Sequence, residues 1–459
     1  MRLAWFSPWP PDRSGIAGRS AEAVARLAAR GHAIDVFVDA TRVATTHRGP
    51  GEAAHPGEIR VLSAHDFVWR EARGQYDLPV YQVGNSRLHE FIWPYLTRWP
   101  GLAVLHDGRV HHARGRALLL RRRTDDYRAE LAWNDPDAGG ALAEMGIAGF
   151  GGTHYYQWPL TKAVTATSRL VACHAGGAVD EVRGSCPEAR VEPLALGMGR
   201  AAVPDQNERR AIRRALGLPV DAVLFGAFGA LGPEKRVPQI LRAFAATRAR
   251  LTPAHLVLGG AMTDAIDLDA ESRRLDLGGV LHRLEDLDDR AFEDAIAAVD
   301  ISLNLRWPTA LETSGPWLQA LSAARPTVIV DLAQSGRVPT LDPRTWQPHF
   351  PARRERGGAP VAVALDVLDE EHSLRKAIVR LGWDADLRAE LGAAARAYWE
   401  AHHTVDRMVD GYETLIAAAI DAPAPAVALP AHLRPDPFDF TRRLLASVET
   451  PLPEILDTR

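Results

Sequence analysis

Hydrophobic and polar positions alternate along the chain in blocks that predict strands and helices in turn. An apolar run at 3–6 predicts a buried strand, and the stretch 17–30 repeats its apolar residues at helical spacing, with charged residues on the opposite face. Gly31 follows as a helix C-terminal cap, and 33–38 predicts a second buried strand. This order of elements is typical of a parallel sheet with helices on both faces.

The alternation continues and predicts two halves of similar architecture. Further strands are predicted at 79–85, 102–107, 222–229, 254–261, 299–305 and 326–331, and the run 163–174 closes the first half. Helices are predicted at 88–98, 237–250, 374–381 and 405–416. The fold class is therefore α/β, with two doubly wound, Rossmann-like domains. Ligands of such sheets bind beyond the carboxyl ends of the strands, so two facing halves would form one cleft.

The irregular stretch 194–207 is the candidate linker between the halves. It predicts an N-terminal domain at 1–198 and a C-terminal domain at 199–421, whose last helices cross back to the first domain. Residues 422–459 contain seven prolines, which is poor material for regular structure. We expect this tail to be draped over the surface or disordered.

Composition narrows the class of protein. The 459 residues are 46% hydrophobic and 24% charged, close to the average of globular proteins, and no apolar run approaches the roughly 18–20 residues that cross a bilayer. A net charge of −4 gives no general reason to expect nucleic-acid binding. Two cysteines cannot form a disulfide framework, so a cytoplasmic location is expected. Only three of the 54 basic residues are lysines, which directs attention to Lys235.

Familiar phosphate-binding motifs are not present. Gly15 and Gly18 do not complete the three-glycine dinucleotide pattern, and the residue before Lys235 is Glu234, where a Walker loop needs glycine. The segment 229–236 instead follows a strand and opens a helix. Backbone amides at a helix N-terminus, with Lys235 and Arg236, would suit a diphosphate. The alternative is that Lys235 is a solvated cation of the first helical turn.

A second candidate segment, 304–315, leaves a buried strand and enters a helix through a proline loop. Glu312 could bind sugar hydroxyls, because a carboxylate accepts several hydrogen bonds. The amides near Ser314 and Gly315 would then face a phosphate. The alternative is that Glu312, Thr313 and Ser314 only cap the helix.

These segments resemble family 4 retaining glycosyltransferases, which have the two-domain GT-B architecture. The family's proline-rich loop ending in glycine matches the sequence up to Gly15, and its glycine and lysine of the donor-phosphate segment match Gly229 and Lys235. The first glutamate of its acidic motif matches Glu312, within a Pro-Thr-x-x-Glu-Thr-Ser-Gly motif that resembles a bacterial subgroup. The resemblance covers about residues 1–420.

The sequence departs from this family at two positions. Ala230 stands where the family has an arginine, and Arg236 or Arg306 would replace that charge. Gln319 stands where the family has its second glutamate, and the interval to Glu312 is one residue shorter. The resemblance implies a donor site made of Gly15, Gly229, Lys235, Arg236, Arg306, Glu312, Thr313, Ser314, Gly315 and Gln319.

The segment 104–107 resembles the part of the family's N-terminal domain whose histidine lies near the transferred sugar, which gives His106 a catalytic role beside Lys235 and Glu312. Alternatives for His106 are a structural role or a metal site with His111 and His112. The resemblance implies no metal and no cofactor. Three tryptophans lie in loops near the expected cleft and could stack on sugars, namely Trp9, Trp307 and Trp317.

The resemblance implies transfer of a sugar from a nucleotide-sugar donor to a hydroxyl acceptor (a glycan, a lipid or a small molecule) with retained anomeric configuration. Six arginines within 109–123 could contact a membrane surface or a phosphorylated acceptor, or form a solvated helix face. Alternative functions are a non-catalytic nucleotide-sugar-binding subunit, an epimerase, or a phosphorylase that uses a pyridoxal-phosphate lysine.

Overall fold

The computed structural model describes residues 1–12, 14–42, 55–152, 154–251, 253–330, 338–350 and 358–434. The first half contains a parallel sheet of seven strands in the order β3-β2-β1-β4-β5-β6-β7. Its strands are β1 (Arg2–Phe6), β2 (Ala33–Val38), β3 (Ile59–Ser63), β4 (Leu78–Val83), β5 (Leu102–Leu105), β6 (Leu170–Cys173) and β7 (Val191–Pro193).

Nine α-helices are described in this half. They are α1 (Gly15–Ala29), α2 (Ala64–Glu71), α3 (Trp93–Leu96), α4 (His111–Leu120), α5 (Thr124–Asn134), α6 (Gly139–Ile147), α7 (His154–Gln157), α8 (Lys162–Thr165) and α9 (Gly176–Ser185). Short 3₁₀ turns lie at Ala40–Arg42 and Arg87–Ile92. The Ser14 side chain caps α1 by accepting from the Ile16 amide at 3.2 Å, and Gly31 follows the helix with a φ of +91°.

The second half contains an eight-stranded sheet in the order β10-β9-β8-β11-β12-β15-β13-β14, parallel except for the β13–β14 pair. Its strands are β8 (Val223–Phe228), β9 (Ala254–Gly259), β10 (Leu281–Leu284), β11 (Ile301–Asn304), β12 (Thr327–Val330), β13 (Thr340–Leu341), β14 (Pro348–His349) and β15 (Ala362–Leu365). Its helices are α10 (Gln206–Ala215), α11 (Val237–Thr247), α12 (Leu268–Arg274), α13 (Asp289–Ala298), α14 (Gly315–Ser322), α15 (Glu370–Trp383), α16 (Ala385–His402) and α17 (Val405–Asp421). Short 3₁₀ turns lie at Pro233–Lys235, Arg248–Arg250, Val367–Asp369 and Ala431–Leu433.

The apolar strands are buried because helices cover both faces of each sheet. One core continues across the two halves and includes residues of β1, α14 and α17. The last helix, α17, returns to the first sheet, where the rings of Trp5 and Tyr412 lie 5.2 Å apart and the Tyr412 hydroxyl donates to Gln82 at 3.1 Å. Two doubly wound α/β domains are therefore present, which confirms the predicted fold class.

Three predicted elements differ from the structure. The run 163–174, which closes the first half, is divided between a helix and a strand. The Thr167 and Ser168 hydroxyls bond back to the Ala163 and Val164 carbonyls at 2.6 and 2.7 Å, and β6 begins after this helical end. The stretch 88–98 is a 3₁₀ turn followed by the four-residue α3.

The helix predicted at 237–250 ends at Thr247 and continues as a 3₁₀ turn. The described part of the tail, up to Arg434, lies over the first domain, where Leu433 is buried. The rest of the expected tail lies outside the described residues. In the described part of the chain, no helix has the length and apolar character that crossing a membrane requires.

Candidate active site

The carboxyl end of β8 positions Lys235. Gly229 follows this strand with a φ of +112°, and a Cβ at this position would lie 3.8 Å from Lys235 Nζ and 3.5 Å from Pro316 at the start of α14. The Gly229 carbonyl leaves no room for a Cβ on Gly260, which follows β9. Glycine is thus required where the backbones of these turns approach each other, and the lysine is folded back over the strand end.

The Lys235 ammonium has no hydrogen bond or ion pair with any residue that the structure describes. The side chain is half-buried, and its removal from water lowers the pKa of Lys235 to about 7, helped by the nearby positive charge of Arg306 and opposed by Glu234. The alternative of a solvated surface cation is therefore wrong. An ammonium held in this way is suited to bind an anion that supplies the missing negative charge.

Arg306 and Glu312 form an ion pair in the loop after β11. The Thr309 hydroxyl also donates to Glu312 Oε2 at 3.0 Å, which fixes the carboxylate. These three side chains line a pocket at the carboxyl ends of β11 and β12, together with Ser314. Of the two arginines expected to replace the family's missing one, Arg306 is therefore the one whose charge acts on Lys235.

Ser314, and not Glu312, caps α14. Its side chain accepts from the Trp317 amide at 3.4 Å, and Pro316 has no amide hydrogen to offer. The Gly315 amide has no acceptor among the described residues, so it alone of these first-turn groups is available to a phosphate. The capping alternative for Glu312 is excluded by this geometry.

Two residues predicted to bind the donor have other partners. The guanidinium of Arg236 bonds the buried Glu370 at 2.8 Å and lies over the Trp307 ring at 5.4 Å. The Thr313 hydroxyl donates to the His174 carbonyl of the first domain at 3.1 Å. These contacts between residues distant in sequence favour structural roles for both side chains, and their contacts with a donor stay predictions.

The predicted donor roles of Gln319 and Gly15 are not tested by any contact among the residues that the structure describes. Gln319 is half-buried in α14, one turn after Gly315. Gly15 is exposed at the first position of α1, in the connection that follows β1. Their contacts with a donor stay predictions.

The facing edge of the first sheet carries histidines in place of cations. His106 follows β5, and its Nε2 lies 2.7 Å from Gln82 Oε1, while its ring lies 4.7 Å from that of His174. Burial, with His174 and His89 adding to it, lowers the pKa of His106 well below 6.5. With Nε2–H donating to Gln82 as the amide is oriented, the neutral ring presents Nδ1 as an acceptor for a sugar hydroxyl.

Asp107 is a candidate residue that the sequence analysis did not select. It accepts a hydrogen bond from the Asn85 amide at 2.6 Å and carries a pKa raised by burial, although Asn85 and Arg306 oppose the rise. Asp107 therefore lies within the electrostatic reach of the Arg306 loop of the other domain. The sequence could have pointed to Asp107, because it directly follows His106 at the end of a strand, where ligands of such sheets bind.

The loop after β11 makes direct contacts with the first domain. The Arg109 amide donates to the Ala310 carbonyl at 3.1 Å, and the Arg109 guanidinium donates to the Thr309 carbonyl at 3.2 Å. Leu311 packs into the core of the first domain, and its Cβ would lie 3.1 Å from a Cβ on Gly108. The loop that holds Arg306 and Glu312 is therefore braced against the edge that holds His106 and Asp107.

The alternative metal site is not assembled. His111 bonds the Trp158 carbonyl and the Tyr127 hydroxyl, both at 2.8 Å, while His106 faces Gln82. No group of three or more metal-ligating side chains occurs in the described parts of the chain.

The expected sugar-stacking role of Trp317 is also wrong. This ring is 2% exposed, and its indole nitrogen donates to Thr327 inside the core. Trp307 is 37% exposed at the cleft loop, and Trp9 packs partly buried against the core that the two domains share.

Most arginines within 109–123 are neutralised locally. Four of the six form ion pairs with carboxylates, namely Arg109 with Glu181, Arg114 with Glu130, Arg121 with Glu90 and Arg123 with Asp126. Arg116 and Arg122 are exposed. This pairing favours a structural helix face, and the membrane contact stays a prediction.

Several solved structures have the same fold. HepE from Anabaena, crystallised with UDP and glucose, is 13% identical with a TM-score of 0.57, and covers 91% of this chain and 100% of its own. Sucrose-phosphate synthase from Thermosynechococcus elongatus is 14% identical with a TM-score of 0.60, over 91% of this chain and 99% of its own. WaaG, a glycosyltransferase involved in lipopolysaccharide biosynthesis, is 15% identical with a TM-score of 0.55, over 90% and 99%.

The fold of the chain is therefore GT-B. The sequence itself matches no protein-family model and no curated protein. At these identities the similarity shows the architecture, and the function has to be argued from the residues of the site.

Proposed function

We propose that this protein is a retaining glycosyltransferase of the family 4 kind, which transfers a sugar from a nucleotide-sugar donor to a hydroxyl acceptor. The observation that carries the proposal is the Lys235 ammonium, which is half-buried and unpaired among the described residues, at the strand end where a GT-B protein would hold the donor diphosphate. HepE was crystallised with UDP and glucose, so uridine diphosphate sugars are the first donors to test.

On the donor side, Lys235, Arg306 and the Gly315 amide bind the diphosphate. Negative charge on this group grows as the bond to the anomeric carbon breaks, so a fixed cation stabilises the transition state more than the ground state. Glu312 accepts hydrogen bonds from sugar hydroxyls and exchanges part of its contact with Arg306 for them. The Arg306 charge is then released toward the phosphate.

On the opposite side, His106 accepts a hydrogen bond from the transferred sugar through Nδ1, and Asp107 orients an acceptor hydroxyl. We infer front-face attack, in which the acceptor oxygen bonds the anomeric carbon on the face that the diphosphate leaves. The departing phosphate oxygen takes the acceptor proton, so that no enzyme nucleophile and no metal is required. Retention of configuration follows from this geometry.

A donor screen tests the proposal. UDP-, GDP-, ADP- and dTDP-sugars are added to the full chain, and a bound donor raises the melting temperature. The donor that stabilises the protein is then used for transfer to a hydroxyl acceptor, and the anomeric configuration of the product is measured by NMR.

We expect stabilisation by one nucleotide class and a product with the anomeric configuration of the donor. A product of opposite configuration would contradict the retaining mechanism. Stabilisation without any transfer, over a panel of glycan, lipid and small-molecule acceptors, would favour the non-catalytic binding subunit. Lys235→Ala, which should lose the donor-induced stabilisation, separates this site from adventitious nucleotide binding.

A further inference from the structure

A groove on the second domain lies apart from the candidate active site. It runs between the end of α11, the β13–β14 pair and the exposed face of α15, with a volume of about 770 Å³. Its polar and aromatic lining residues are Arg250, Arg344, Trp346, His372, Arg375, Lys376, Arg380 and Trp383. We propose that this groove binds a segment of an anionic oligosaccharide, through its cations and its exposed indole.

The groove has a surplus of positive charge. Five permanent cations line it, and none of the lining residues that the structure describes is a carboxylate. Arg250, Arg375 and Lys376 are exposed and form no ion pair within the described residues. These three cations have no acidic partner among the described residues and repel one another, so a ligand that brings several negative charges relieves this repulsion.

Carboxylates at the edge of the groove compensate the other two cations. Arg344 bonds Asp342 at 3.1 Å, and Arg380 bonds Asp384 at 2.9 Å. These pairs are exposed and contribute little to stability, so a multivalent anion can compete for their guanidinium groups.

Aromatic surface accompanies the charge. Trp383 is 71% exposed, and its indole nitrogen donates to the Arg250 carbonyl at 2.9 Å, which fixes the ring in an exposed orientation. The Arg380 guanidinium lies over the Trp346 ring at 5.4 Å. An indole with one free face offers apolar contact to the C–H face of a sugar ring, while guanidinium groups bind its acidic substituents.

The exposed face of α15 is not suited to insert into a membrane. Its apolar residues Leu374, Ile378 and Leu381 are fully buried in the core, so the outward face offers cations and one indole instead of an apolar stripe. The choice of a glycan over other polyanions rests on the proposed function. The overall charge of −4 gives no support to general nucleic-acid binding.

Calorimetric titration of the full chain tests this inference. The probe is hexagalacturonate, a carboxylated oligosaccharide, and maltohexaose is the neutral probe of equal length. We expect salt-sensitive binding of hexagalacturonate and none of maltohexaose. The double change Arg375→Glu with Lys376→Glu should weaken binding at least tenfold, whereas Arg116→Glu, on the basic helix α4, should leave the affinity unchanged.

Variants of Trp383 measure the contribution of ring stacking to binding separately from that of charge. Trp383→Ala should weaken hexagalacturonate several-fold, and Trp383→Phe should restore part of the loss, with melting temperatures equal to that of the unchanged protein. Loss of affinity in Arg116→Glu equal to that of the double variant would overturn the inference. So would absent hexagalacturonate binding, or tighter binding of single-stranded DNA or of phosphatidylglycerol vesicles.

A UDP titration on the same preparation keeps this inference distinct from the proposed function. UDP binding without hexagalacturonate binding overturns only the inference about the groove. Hexagalacturonate binding without binding of any nucleotide contradicts the proposed function and, with it, the reason for choosing a glycan. Unchanged nucleotide affinity in the double variant supports two separate sites.

Discussion

The two sheet edges that meet at the cleft differ in their electrostatics. The edge of the second domain holds the Arg306–Glu312 ion pair and Lys235, whose pKa is lowered to about 7 by burial and by the charge of Arg306. The edge of the first domain holds His106 and His174, and burial lowers the pKa of both, that of His174 to about 4. The difference indicates a division of work, in which one domain stabilises a charged leaving group and the other orients uncharged sugar hydroxyls.

The largest expected effect is that of removing the cation on the charged edge. Lys235→Ala should cost ~2–4 kcal/mol of transition-state stabilisation, which is roughly a 30- to 1000-fold loss of turnover. The loss should appear in kcat as well as in donor affinity, because phosphate charge grows as the bond breaks. Steady-state kinetics measures this. Lys162→Ala, at a lysine that bonds the Trp133 carbonyl away from the cleft, is the matched control.

Glu312 provides the second test. Glu312→Gln keeps the size of the side chain but loses charge-assisted bonds worth roughly 1.5–3 kcal/mol each, so activity should fall at least tenfold while the melting temperature changes little. Ser314→Ala is the control, since loss of this cap should lower the free energy of unfolding by about 1 kcal/mol. Full turnover in Glu312→Gln would contradict a sugar-binding role.

The pH profile sharpens the comparison between the edges. The pKa of Lys235 lies at about 7, and the charged form exists below it, so kcat/KM should fall as pH rises through about 7. Arg306→Ala removes a positive charge near Lys235, so the pKa of Lys235 should rise. The fall in kcat/KM should then occur at higher pH. No acidic limb near pH 6.5 should come from His106, whose pKa is well below that value. A profile that is flat above pH 7 would exclude Lys235 as the essential cation.

The smallest expected effect on turnover is that of Arg236→Ala. Its guanidinium bonds Glu370, which is 6% exposed, so the change leaves a buried carboxylate without its partner. We expect the free energy of unfolding to fall by about 3 kcal/mol with turnover within a few-fold of normal. Denaturant unfolding and kinetics on one preparation measure both. A stable but inactive variant would return Arg236 to the donor site.

Much of the fold could be predicted because its signals are local. Apolar runs marked β1, β2 and β8, and Gly31 marked the end of α1. The special position of Lys235 was also visible, since lysine is rare in this chain and here follows a strand and a glycine turn.

The rest of the site depends on contacts between distant parts of the sequence. Arg236 meets Glu370 across 134 positions, and Thr313 meets His174 across 139. The spacing of residues within one segment cannot predict contacts between segments so far apart in sequence. Asp107 escaped selection for the same reason, because its importance arises from Arg306 on the other domain.

The most direct test of the central claim is to measure the ionisation of Lys235 with and without a nucleotide. With only three lysines in the chain, ¹³C labelling of the lysine ε-carbons gives three NMR signals, and Lys235→Arg identifies the one of interest. We expect this signal to titrate with a pKa near 7 in the free protein. When UDP binds, the pKa should rise by at least one unit, because a diphosphate favours the charged ammonium. A signal that titrates near the ordinary lysine value of about 10.4 and does not respond to UDP would contradict the account.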